Sequence, residues 1–204
     1  MAIKWQIPAD MWAGETVAIL GAGPDMTEDL AKTAKGYKTI AVNRAVKFAP
    51  WADMFVALDP HHPFWEEADK LGFTGMRIIG IDHDDYNSAL YPGMMYERVM
   101  MLDGAQIEIR NNALAAIRIA FKAGAKKIIL LGFDPERYEE VHAHTGFRGL
   151  KEGLNQIIAE MQAAGVEVER IDTENQHFGT RPARRSEMID VKKFPQQKKN
   201  KKGE

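Results

Sequence analysis

Residues able to do chemistry gather in this sequence at the ends of short apolar runs. GAGPD (21–25) follows TVAIL, NRA (43–45) follows KTIAV, DPHHP (59–63) follows DMFVAL, DHDD (82–85) follows MRIIGI, and GFDPE (132–136) follows KKIILL. Open parallel sheets hold ligands with such groups, because loops and helix N-termini converge outside the C-terminal ends of their strands. Gly21 and Gly23 permit tight backbone geometry and close approach of a ligand. Asp25 or Thr27 can cap a following helix, leaving backbone N–H groups toward an anion, most naturally phosphate. A tight turn serving packing alone would use the same glycines. Taken as strand exits, Arg44, Asp59, Gly132 and Asp134 join the turn as candidate ligand-binding residues.

A second group lies in PERYEEVHAHTGFRG (135–149), where His142 and His144 stand two residues apart. On extended backbone both imidazoles point the same way, and an imidazole titrating near neutrality can take a proton from an acceptor hydroxyl. Two other readings stay open. They are solvated loop histidines, or a metal site built with Asp59, His61 or the acids of DHDD, for which the chain shows no specific ligand spacing. HHP (61–63) and DHDD also suit strand ends and helix caps.

Two nucleotide chemistries are disfavoured by the same residues. The dinucleotide fingerprint GxGxxG breaks at Met26, and Asn43 stands where an acid would hold an NAD ribose. No GxxxxGK[ST] loop is present, which excludes a P-loop kinase. Without cysteine there is no disulfide framework, thiolate nucleophile or Cys-ligated zinc.

The elements that must position these groups follow from apolar periodicity. Strands are expected at 16–20, 38–42, 53–58, 76–81, 126–131 and 166–171, with amphipathic helices at 27–35, 63–71, 112–123 and 149–164. In the last helix Leu150, Leu154, Ile157, Ile158 and Met161 share one face, and Gly165 supplies the stop. Strands alternating with helices predict an α/β fold: a doubly wound, mostly parallel Rossmann-like sheet with helices on both faces.

The 204 residues, 45% hydrophobic and 27% charged, fit one domain. The expected organisation is an N-terminal arm (1–15), a nucleotide-binding domain (16–189) with an irregular insertion or lid at 82–111, and a disordered basic tail (190–204). The tail ends VKKFPQQKKNKKGE, so the net charge of −2 hides a more acidic body; nucleic acid is not an expected partner of that body. Neither a membrane span nor a signal peptide is apparent, and the cytoplasm is the expected compartment. Homo-oligomerisation is left open.

Four motifs stand in a telling order: GAGPDM (21–26), VNR (42–44), NNALAAIRIAFKAGAKKIILLGFD (111–134) and VHAHTGF (141–147). Over 17–171 the chain thereby resembles the bacterial CMP-sialic-acid-dependent sialyltransferases of the lipooligosaccharide type. It is also similar to glycosyltransferase-like proteins of bacteriophage genomes and to the motility-accessory (MptE-like) group. Their motifs read G-N-G-P-S-[LM], C-N-Q, T-S-G before a helix and a strand ending G-[IF]-D, then a loop histidine. The resemblance implies a nucleotide-sugar donor, CMP-sugar-like, held by Gly21, Ala22, Gly23, Pro24, Asn43, Asn111, Asn112 and Ala113. It implies His142 or His144 as general base and no required cofactor or metal. The chain departs from the motifs at Ala22, at Asp25 and at Asn111-Asn112-Ala113. Two other functions remain in view: a non-catalytic protein, phage-encoded, that sequesters a nucleotide, and an MptE-like pyrophosphokinase using ATP and Mg²⁺ through Asp59, Asp82, Asp84 and Asp85.

Overall fold

The computed structural model describes residues 7–58, 63–79, 95–96, 111–135 and 150–171. The strands are β1 (Thr16–Leu20), β2 (Lys38–Val42), β3 (Met54–Val56), β4 (Met76–Ile79), β5 (Met95–Tyr96), β6 (Lys127–Leu131) and β7 (Glu167–Ile171). Four α-helices accompany them: α1 (Glu28–Lys32), α2 (Phe64–Lys70), α3 (Asn112–Lys122) and α4 (Leu150–Ala163). A 3-10 turn at Asn43–Lys47 follows β2. The strands form one seven-stranded sheet in the order β5-β4-β3-β2-β1-β6-β7, and every pairing is parallel.

Burial follows from that architecture. A central parallel strand is covered on both faces, so its residues are apolar throughout; Val17, Ala18, Ile19 and Leu20 are all fully buried. Alternate side chains point to opposite faces, which splits the core in two. Val17, Ile19, Ile40, Val42, Val56, Ile128 and Leu130 pack with α3 and α4 residues such as Ile117, Leu154 and Ile157. Ala18, Leu20, Ala41, Phe55 and Leu131 pack against Leu30 and Ala31 of α1 and Trp65 and Ala68 of α2. The expected doubly wound α/β fold is therefore the one observed.

Where both expected bounds fall among the described residues, α1, α2, α3, β3, β6 and β7 are trimmed by one or a few residues relative to the sequence pattern, while β1 and β2 match it. The largest change is α1, which spans five residues from its Thr27 cap, whereas the apolar pattern continues to 35. Gly165 takes φ 84 after α4, which supplies the expected stop. The described part of the N-terminal arm belongs to the core: Ile7 and Trp12 are buried, and the Trp12 N–H donates to the Ala123 carbonyl at 2.7 Å. Of the 82–111 stretch, Met95, Tyr96 and Asn111 are described, and the first two extend the sheet beside β4.

One polar contact closes the N-terminal edge of β2. Thr39 lies ahead of the pairing with β3, which begins at Ile40 with Met54, so its N–H needs another acceptor. Asp53 Oδ2 accepts it at 2.9 Å. We expect Asp53→Ala to cost about 1–3 kcal/mol, because it leaves a part-buried donor unpaired, and Asp53→Asn to cost less, because its Oδ1 still accepts. Urea midpoints of the two variants check the order.

Candidate functional site

The strand order reverses between β1 and β6. From β1 the chain moves outward through β2 to β5, then returns to β6 on the other side of β1. The loops leaving these two neighbours diverge to opposite faces, and a crevice opens between them at the C-terminal edge. A cleft lies there, its empty space about 530 Å³ with the open solvent at its mouth included.

Its floor is the contact between two glycine turns. The Gly21 N–H donates to the Leu131 carbonyl at 2.7 Å, continuing the β1–β6 ladder by one residue. A Cβ on Gly21 would lie 2.7 Å from the Gly132 carbonyl oxygen, and one on Gly23 would meet the same oxygen. Gly132 has φ 69, and a Cβ there would lie 2.7 Å from Met26 Cε. Both glycines of the GxG turn are thus required by the neighbouring backbone. Met26, where a third fingerprint glycine would stand, is buried and packs on Gly132.

The wall beside β2 is held by carboxamides. Asn43 has φ 50, the one non-glycine positive φ among the described residues, a conformation that asparagine tolerates better than most. Asn112, the first residue of α3, donates from Nδ2 to Asn43 Oδ1 at 2.9 Å and accepts the Leu58 N–H on its own Oδ1 at 2.7 Å. Asn111 is the N-cap of α3, its Oδ1 accepting the N–H groups of Ala113 at 2.8 Å and Leu114 at 3.2 Å.

The two helix N-termini near the glycine turn differ in charge. Thr27 caps the short α1 through a 3.2 Å bond from the Leu30 N–H, and Glu28 and Asp29 occupy its first turn. Those carboxylates already satisfy the positive end of its dipole. The 11-residue α3 has no acid in its first turn, and its opening residues line the cleft. The sequence pattern places an anion at the turn before α1; of the two helix ends, only the start of α3 is without acids in its first turn.

Of the expected binding residues, Gly21, Ala22, Gly23, Asn43, Asn111, Asn112, Ala113, Gly132 and Asp134 line the cleft together. Pro24, Asp25 and Arg44 do not. Arg44 instead reaches the turn from behind, its Nη2 donating to the Gly23 carbonyl at 2.5 Å. Asp59, His61, Asp82, Asp84, Asp85, His142 and His144 lie outside the described residues. No group of three or more His, Cys, Asp or Glu residues that could hold a metal occurs among the described residues.

Sequence reasoning missed the apolar wall, formed by Val42, Phe133, Pro135, Leu150 and Leu154. Leu154 is buried in the core, and periodicity alone assigns it there. Its second role arises because Leu150 and Leu154, one turn apart on α4, line the cleft with Phe133 and Pro135 at the exit of β6. Apolar surface on one side and carboxamides on the other suit a ligand with a flat apolar body and a polar end. No helix among the described residues is long and apolar enough to cross a membrane. Comparison of the chain with models of protein families and with curated proteins returns no match.

Proposed function

We propose that the protein binds a nucleotide or nucleotide sugar in the cleft between β1 and β6 and transfers the donor's glycosyl group to an acceptor hydroxyl. One observation carries the binding half: the glycine turns, the positive-φ Asn43 and the N-terminus of α3 converge at the switch point of a parallel sheet. The nucleoside packs on Phe133, Leu150 and Leu154, and its phosphate lies toward α3. The transfer half rests on the order of motifs in the sequence. His142 or His144 takes the acceptor proton as the acceptor oxygen bonds to the donor's anomeric carbon. The bond from that carbon to the phosphate oxygen breaks, and the nucleotide leaves with its electron pair. The cytoplasm, where such donors are made, is the compartment this reaction calls for.

Incubation with a panel of nucleotide sugars, followed by chromatography of the released nucleotide, tests the proposal. Release of nucleotide from one donor, faster with acceptor present, is the expected result; a protein that neither binds nor cleaves any donor refutes it.

A second reading, nucleotide sequestration without turnover, is favoured by the glycine turn itself. Gly21 and Gly23 are filled by close approach of Gly132, and acids occupy the first turn of α1. Both features depart from the turn before α1 that the motif's transfer chemistry uses, while the cleft itself stays able to hold a nucleotide. Here a nucleotide binds and is recovered unchanged.

A further inference from the structure

We propose that Asn112 is a positioning residue: it turns the Asn43 carboxamide so that the cleft wall beside β2 offers a hydrogen-bond donor. The ligand group seated there is then one that accepts, such as phosphoryl or carbonyl oxygen. The inference deepens the nucleotide reading and rests on it for the identity of the ligand.

The polarity is set by a group that cannot be reversed. Each carboxamide carries an accepting oxygen and a donating NH₂, and their orientation follows from the partners they meet. The first partner is the backbone N–H of Leu58, at the exit of β3, which can only donate. Asn112 must therefore present Oδ1 to it, at 2.7 Å. That choice turns the Asn112 Nδ2 toward Asn43, whose Oδ1 accepts at 2.9 Å. The end of Asn43 that remains for the cleft is its Nδ2, which has no partner among the described residues.

Asn111 arrives at the same polarity by a different route. Its Oδ1 is taken by two N–H groups of α3, at 2.8 and 3.2 Å, so its NH₂ is again the open end. Both residues line the cleft. Where a dinucleotide-binding sheet ends β2 in an acid that accepts from ribose hydroxyls, this sheet ends β2 in a donor whose sense is dictated from β3. The acceptor-only end of a nucleotide is its phosphoryl group.

The test uses the full ¹⁵N-labelled chain, with CMP and cytidine as probes. In the ligand-free wild type, one Asn112 Nδ2 proton exchanges slowly with solvent and both Asn43 Nδ2 protons exchange quickly. Asn112→Asp keeps an acceptor for Leu58 but turns a second oxygen toward Asn43, whose amide must flip to donate to it. Slow exchange is then expected to move to Asn43, and CMP affinity to fall on the order of tenfold or more relative to cytidine, the loss of about one charge-assisted hydrogen bond.

Slow exchange at Asn43 in the wild type overturns the proposal without any variant. So does weaker CMP binding by Asn112→Asp with no protection gained at Asn43, which is repulsion by the added charge alone. An amide that flips while CMP affinity stays unchanged overturns the assigned ligand polarity. If the wild type binds neither CMP nor cytidine, the nucleotide reading fails, and the exchange pattern still decides the role of Asn112.

Discussion

Gly132→Ala is expected to lower stability by about 2–4 kcal/mol, combining left-handed backbone strain with overpacking. The backbone part arises because Gly132 has φ 69, which a Cβ disfavours. The packing part arises because that Cβ would lie 2.7 Å from Cε and 3.3 Å from Cβ of the buried Met26, whose side chain must shift to admit it. Gly36→Ala and Gly165→Ala separate the two contributions. They carry positive φ values of 100 and 84, yet an added Cβ at either meets nothing within 4 Å. Each is expected to cost roughly 1 kcal/mol, the backbone share alone. Urea denaturation of the three variants checks the order; equal losses would show that Met26 makes room. Because Gly132 also faces Gly21 across the cleft floor, Gly132→Ala should weaken nucleotide binding more than its stability loss explains.

Replacing both loop histidines, His142→Ala with His144→Ala, is expected to lower the transfer rate by about 10²–10⁴-fold, the usual contribution of a general base. Donor affinity should change little, because the described binding groups sit at the exits of β1, β2 and β6 and on α3 and α4, and a general base is not what holds the donor. Single replacements identify the base: one should reproduce nearly the whole loss, and the other should leave the rate close to that of the wild type. The fall should also flatten the acid limb of the rate profile, since the base must be neutral to accept a proton. Steady-state kinetics with a cleaved donor, beside calorimetric titration of the same donor, provide both readouts. A double variant that retains turnover removes the histidines from the mechanism. A wild type that binds and never turns over favours sequestration.

The glycine turn shows how one motif serves two readings. GAGPDM has the residues of a phosphate cradle, and Gly21 and Gly23 do lie on the cleft. Their lack of side chains is nevertheless used by the Gly132 carbonyl, which approaches from β6. Arg44 reinforces the same turn through the Gly23 carbonyl and so supports the cleft without facing it. Charge then separates the two helix ends, because acids fill the first turn of α1 and none fills that of α3.

Among the described residues, the sequence by itself determined the kind of element at most positions. Short apolar runs such as TVAIL and KTIAV are too uniform for a half-exposed strand and too brief for a helix, so they read as buried parallel strands. Their alternation with amphipathic segments specified the α/β class. It also placed the chemistry-bearing residues at strand exits, since those positions are local in the chain. Met95–Tyr96 escaped notice because two residues carry no period.

Only the tertiary structure decided which exits meet. The return of the chain to β6 beside β1 is a choice of neighbours, made by packing across the whole sheet, and no local pattern encodes it. That choice sets Gly132 against Gly21 and Gly23 and brings Leu154 over the cleft. It also gives adjacent, chemically identical residues different work. Asn111 stands at the N-cap of α3 and satisfies the helix's own N–H groups, while Asn112, one step further round, reaches Leu58 and Asn43 from strands far away in sequence. A side chain's type is written in the sequence, but its hydrogen-bonding sense depends on the fixed donors the fold puts beside it.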